Sequence, residues 1–228
     1  MSTTLLELRT RSRQLADMVD NEFVSDSELN NYINFAIAEL HDLLVAAYGS
    51  DYFLSSTTGT TTSGTQDYSL PSDFYKLRGV DVKINNSDWF NVKPFNFNER
   101  NRFDDSTSWT YLGLSNLRYR IMGSNLKFTP TPDNAQQYRI WYVPVATKLS
   151  DDADTLDDVN QYSDYIIVSA ALKMAHKQEM DTSSLAAERA RLERRITEMA
   201  PNRDAAQPES ISDIYAEDVD HYWNTSNN

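Results

Sequence analysis

Apolar positions along this chain keep two different periods, and the period changes over twice. The first 48 residues read as helix. Thr4 and Glu7 have capping-box spacing, and Leu5, Leu8, Leu15 and Met18 follow at roughly helical intervals. Ser25 and Glu28 repeat that spacing and open a longer helix to about Tyr48. Leu29, Ile33, Ala36, Leu40, Leu43 and Ala47 lie on one stripe, which Tyr32, Ile37, Leu44 and Tyr48 widen, and Gly49 supplies the stop. A stripe this wide implies contacts on more than one side.

From residue 51 to about 148 the period becomes two. Residues 55–66 are rich in Thr, Ser and Gly, which predicts strands around a turn at Gly59 or Gly64. A short strand at Tyr68 to Leu70 stops at Pro71. Val80, Val82 and Ile84 alternate with polar residues, and the run NNSD at 85–88 turns the chain towards Trp89 and Phe90. Tyr119 and Ile121 alternate with Arg118 and Arg120, a turn at Gly123 leads to Leu126 and Phe128, and Tyr138, Ile140 and Tyr142 alternate with Arg139 and Trp141. The pattern predicts an antiparallel β lobe. Residues 97–113 fit either period: 98–101 suit a helical turn, and 104–110 an exposed loop.

Helix returns after the acidic run at 151–158. Residues 161–179 are apolar nearly all round (Tyr162, Tyr165, Ile166, Ile167, Val168, Ala170, Ala171, Leu172, Met174), so that helix is buried within its own domain or between subunits. Asp181 and Ser184 offer caps to a last helix, whose narrow stripe of Leu185, Leu192, Ile196 and Met199 stands opposite Glu188, Arg189, Arg191, Glu193, Arg194 and Arg195. Pro201 ends it. The expected class is α+β: a bundle of about four helices from residues 1–50 and 150–202, an inserted β lobe at 51–149, and an extended C-terminal segment at 203–228.

With 228 residues the chain can bury a core without covalent help, and it has no cysteine, which removes disulfides, thiol nucleophiles and thiolate metal sites and fits synthesis in the cytosol. No apolar run reaches transmembrane length, and residues 1–8 lack the basic and apolar regions of a secretory signal. The formal charge of −13 argues against a surface basic enough to grip phosphate backbones, although an acidic or neutral channel wall would let DNA slide past.

Candidate chemistry is sparse. His41, His176 and His221 fall in different zones and in no metal or catalytic spacing, and no nucleophile-elbow, P-loop or dinucleotide-binding motif occurs. The acids at 151, 152, 154, 157 and 158 suggest a calcium loop, but the turn glycine and distal glutamate are missing; carboxylates before a helix also suit its positive end. Arg189, Arg191, Arg194 and Arg195 are interleaved with Glu188, Glu193 and Glu198, which favours a solvated or intersubunit ion-pair face over nucleic-acid contact. Arg118 and Arg120, beside Tyr111 and Tyr119, suit cross-strand pairs better than base stacking. The last zone keeps Ile211, Ile214, Tyr215, Val219, Tyr222 and Trp223 among six acids, too apolar for an idle tail, and reads as a segment that orders on a partner.

Seven stretches in this order carry a resemblance: 25–34 (SDSELNNYIN), 67–75 (DYSLPSDFY), 119–126 (YRIMGSNL), 129–132 (TPTP), 138–144 (YRIWYVP), 165–173 (YIIVSAALK) and 200–204 (APNRD). Together the chain resembles the head-to-tail adaptor, or head-completion, proteins of tailed phages, especially those of short-tailed phages. The resemblance implies a structural protein without enzymatic activity or cofactor. It implies a twelve-membered ring in the virion neck, docked under the portal protein, carrying downstream tail proteins (nozzle, fibre or stopper) and enclosing a channel that DNA crosses without specific binding. Tyr165, Ile167, Val168, Leu172, Arg191 and Arg195 are then the expected intersubunit residues. The C-terminal anchors Ile211, Ile214, Tyr215, Val219, Tyr222 and Trp223 are the expected portal contacts, by position. The competing reading is a receptor- or carbohydrate-binding β module built on Trp89, Trp109 and Trp141, which leaves the helical part without purpose. An enzyme would need titratable groups clustered in space.

Overall fold

The computed structural model describes residues 3–19, 23–49, 51–83, 88–99, 117–156 and 162–199. Across these residues, four helices and a curled seven-stranded sheet give an α+β architecture. Helices α1 (Leu5–Leu15) and α2 (Asp26–Tyr48) precede every strand, and α3 (Ser163–Lys177) and α4 (Ser183–Met199) follow them all.

Local chemistry sets the helix ends. At α1 the Thr4 hydroxyl accepts the Glu7 N–H while the Glu7 carboxylate accepts the Thr4 N–H, a complete capping box. Asp17, at φ 54°, turns the chain out of the helix, so the buried Met18 belongs to the turn and Leu15 is exposed. At α2 only half of the expected box forms. Ser25 accepts the Glu28 N–H, but the Glu28 carboxylate is drawn to Tyr32 and Lys177 instead. Gly49, at φ 82°, closes α2.

The helical core is centred on α3. Ten of its fifteen residues are buried, and its small side chains Ser169, Ala170, Ala171 and Ala175 let neighbouring helices approach closely. Ile166 and Met174 are fully covered, against Leu5 and Leu8 of α1, Leu29, Ile33 and Leu40 of α2, and Leu192 and Ile196 of α4 within one apolar cluster. Helix α4 buries only Leu192 and Ile196; Met199, expected on its stripe, is 59% exposed. A second clamp holds α2 to the chain leaving the sheet: the Asn34 amide donates to the Leu149 carbonyl and accepts the Leu149 N–H, both at 2.9 Å.

The strands are β1 (Ser55–Thr60), β2 (Asp67–Ser69), β3 (Phe74–Lys83), β4 (Trp89–Pro94), β5 (Arg118–Met122), β6 (Asn125–Thr129) and β7 (Gln137–Pro144). Their order in the sheet is β1-β7-β3-β4-β5-β6-β2. Gly59 lies within β1, and the turn falls at Gly64 (φ 79°). Phe97–Glu99 forms a short 3-10 turn. One pairing departs from the antiparallel expectation: β4 and β5 run parallel, with Lys93 opposite Arg118 and Pro94 opposite Tyr119. Parallel neighbours need a long connection, and 24 positions separate Pro94 from Arg118. Val80, Val82, Val92, Leu126, Phe128 and Ile140 fill the inner face, and the rings of Tyr68, Phe128 and Tyr138 pack together where the sheet curls. Residues 85–87 of the expected turn and the stretch 100–116 lie outside the described residues.

Candidate interaction surface

Helix α2 turns a polar stripe outward beside α3. Glu28, Tyr32, Phe35 and Glu39 recur at intervals of four and three, and α3 answers with Lys173 and Lys177, one turn apart. The Lys177 Nζ donates to Glu28 at 2.6 Å and to the Phe23 carbonyl at 3.1 Å, and lies 4.6 Å from the centroid of the Phe23 ring. Lys173 stands 3.6 Å from Glu39 and 5.0 Å from the Phe35 centroid. Arg189 of α4 completes the row, donating to Glu39 at 2.9 Å and to the Tyr165 hydroxyl at 3.1 Å.

Each lysine thus bridges a carboxylate and the face of an aromatic ring. Lys177 and Tyr32 together hold the Glu28 carboxyl below its ordinary range, and in return Glu28 pushes the Tyr32 phenol up to about 12. Burial pulls the Arg189 guanidinium down, but Tyr165 and Glu39 more than offset it. Phe23 and Phe35 remain 54% and 60% exposed, so the row presents two phenylalanines each held by a cation over its ring. Sequence periodicity missed both. Phe35 sits on the polar side of α2, off the apolar stripe, and that misplacement is the signal that could have found it.

A second concavity lies where α2 meets the end of β7. Ile37, Leu40, Leu44, Phe53, Val145 and Leu156 line an open groove of about 230 Å³ with His41 in its wall. It is smaller than the roughly 300–1,000 Å³ usual for ligand and cofactor pockets. His41 stacks on Phe53 and meets the edge of Tyr75, whose hydroxyl donates to Asp42. Burial lowers the His41 pKa; Asp42 and the Pro144 backbone pull the other way.

The acidic run takes an unexpected place. The backbone of its described part lies against α1: the Leu5 N–H donates to the Asp154 carbonyl, the Leu6 N–H to that of Asp152, and Thr4 bridges Thr155. The Asp154 carboxylate takes the N–H groups of Ser150 and Asp151, which lower its pKa, and Asp152 pairs with Arg9. Those oxygens fasten a loop to the first turn of α1. Among the described residues no three carboxylate or imidazole groups converge as metal ligands would; residues 157 and 158 lie outside them.

On the sheet, Trp89 and Trp141 do come together. The Arg139 guanidinium lies 4.1 Å from one ring centroid and 5.2 Å from the other, and the Trp141 indole donates to Asp81 at 2.6 Å. A sugar stacking on the indole face that Arg139 covers would have to displace that guanidinium. Trp109 lies outside the described residues.

Over residues 3–212 the sequence matches the family of the SU10 adaptor protein. The chain belongs to that family. It is therefore a phage adaptor, a structural protein of the head-to-tail adaptor kind, and no curated protein matches it. Among the described residues of the adaptor, no helix is long and apolar enough to cross a membrane. Of the positions expected between subunits, Tyr165, Ile167 and Val168 are buried inside the adaptor's own helical core and Leu172 is half-buried. Arg191 is exposed and bound to Glu188 of its own helix, and Arg195 is exposed beside Tyr162 and Asp164. The expected portal anchors Ile211, Ile214, Tyr215, Val219, Tyr222 and Trp223 lie outside the described residues. All but Ile211 also fall beyond the matched stretch.

Proposed function

We propose that this adaptor forms a ring, twelve-membered as the resemblance implies, beneath the portal in the virion neck, where it attaches the tail and continues the DNA channel. The observation that carries this reading is the match to the adaptor family over nearly the whole chain. The helical surface supports it physically, since an exposed row of cation-held aromatics suits a protein contact. On this reading Phe23, Phe35, Arg191 and Arg195 meet a neighbouring copy, with Leu172 at the margin. Tyr165, Ile167 and Val168 act indirectly, by fixing α3.

The segment from Ile211 to Trp223 reaches the portal. Ordering it costs roughly 1–2 kcal/mol of backbone freedom per residue, so a single tail binds modestly; tails presented together bind at high effective concentration. The test is co-sedimentation with portal-bearing particles. Full-length protein should pellet in fixed stoichiometry, and protein ending at Pro208 should stay soluble and folded by circular dichroism but fail to pellet. Tyr222→Ala with Trp223→Ala should give a milder loss. Undiminished pelleting of the truncated protein would move portal binding onto the helices.

A further inference from the structure

The helical layer and the sheet are two bodies with a narrow joint. Their apolar cores share no residue, and among the described elements no helix packs along a strand. Two crossings of the chain connect them. One leaves α2 and passes Asp51 to Leu54 on its way to β1; the other leaves β7 at Pro144 and is caught by Asn34 of α2 at Leu149. The Val145 N–H is still held by the Asp73 carbonyl on the sheet side, so only residues 146–148 separate the two ties. A joint of this size leaves relative motion of the two bodies as the default.

His41 sits where both crossings meet. Its ring stacks on Phe53 of the first crossing at 4.7 Å and meets the edge of Tyr75 from β3 at 5.4 Å. The Pro144 backbone faces it from the end of β7, and Asp42 is its charged neighbour on α2. Asp51, in the first crossing, is already bound to Arg78. The groove beside the ring adds only the neutral Thr147 and Thr155 among polar side chains.

One oxygen has two suitors at this joint. Asp42 Oδ1 accepts the Tyr75 hydroxyl at 2.8 Å, which ties β3 to α2, and the same atom lies 3.9 Å from His41 Nδ1. A neutral imidazole leaves that tie alone. A charged one draws the carboxylate to itself and seeks water, which the open groove admits. Either movement loosens the Tyr75 tie and unseats the ring from Phe53.

We propose that the His41, Asp42 and Tyr75 cluster is a proton-sensitive latch that fixes the angle between the helical layer and the sheet and releases it when the imidazole takes up a proton. Burial disfavours the charged form of His41, so the latch is closed at neutral pH and opens on acidification. The latch belongs to the single chain and does not depend on the ring.

The test is a distance measured across the joint in the full-length protein. The chain has no cysteine, so Thr58→Cys on β1 and Arg194→Cys on α4, both exposed, can carry spin labels with the rest of the sequence intact. Labelled protein diluted into excess unlabelled protein reports distances within one copy only. Pulsed spin resonance should give one narrow distance at about pH 7.5 and a second one at about pH 5, held by about a tenth of the molecules or more. His41→Gln should keep the single distance at both values. Tyr75→Phe, at a ring already 44% exposed, should show the second distance at neutral pH. One unchanged distance at both pH values in wild type would overturn the proposal. So would a second distance that survives in His41→Gln, or one that appears only together with loss of helical ellipticity, which is acid unfolding. Should His41→Gln fail to fold, Tyr75→Phe decides: a wild-type distance at neutral pH in that variant would mean the tie does not hold the angle.

Discussion

The helical layer and the sheet dispose of charge in opposite ways. Along α2, α3 and α4 four of the six lysines and arginines pair with a carboxylate of the same chain: Lys177 with Glu28, Lys173 and Arg189 with Glu39, Arg191 with Glu188. On the outer sheet the cations stand beside one another. Both regions hide a full apolar core, so the difference is not one of folding. Internal pairing leaves a surface that meets a partner through shape and aromatic contact, whereas the strand register sets Lys93 against Arg118 and Arg120 against Lys127.

The comparison breaks first at the cores. Ile166→Asp places an unpaired carboxylate at a fully covered position of α3 and should cost on the order of 4 kcal/mol or more, read as loss of cooperative urea unfolding. Ile167→Asp, also inside the core, should unfold the helices before it could selectively weaken assembly. Phe128→Ala in the sheet core should cost about 3–5 kcal/mol. The informative readout there is spectral: helical ellipticity that survives while aromatic signals are lost would mean the two regions fold separately, and a joint transition would mean they do not.

Gly59→Ala comes next. A Cβ there would lie 2.3 Å from the Tyr138 ring, so the ring must move, at a cost of about 1–3 kcal/mol in thermal unfolding. His41 should give a pH effect. Its folded pKa lies below the ordinary 6.5, so its contribution is fully present above that value and is lost as pH falls through the lowered folded pKa. Wild type should lose thermal stability from about pH 7 downward. His41→Gln should flatten that slope, and an unchanged slope would show the histidine is not the sensor. The smallest effect belongs to the paired surface: Lys177→Met should let the Glu28 titration rise towards its ordinary 4.5 by NMR, with little change in thermal midpoint.

The same comparison marks what was legible in the sequence. Helix and strand positions followed from local rules, because caps at Thr4 and Ser25 and alternation around Tyr119 and Tyr138 depend only on near neighbours. Three features did not. The acidic run docks on α1, across about 150 positions of chain, where no local rule reaches. Glu28 left its own cap for Lys177 of another helix. Net charge concealed the sheet's basic face, because strand order brings Lys93 to Arg118 and a sum over residues carries no positions.

The clasp between α1 and the loop after β7 also sets an order in time. Thr4 meets Thr155, and the partners of Leu5 and Leu8 on α3 are made only after every strand has been synthesised. A nascent chain leaving the ribosome from its N-terminus can complete the sheet while α1 and α2 still lack their main apolar partner. Closing that gap is a contact of long sequence separation, the kind that slows folding. A chain stopped before residue 163 should therefore show a protected sheet and unprotected α1 and α2 in hydrogen exchange, and appending α3 should convert both helices in a single step.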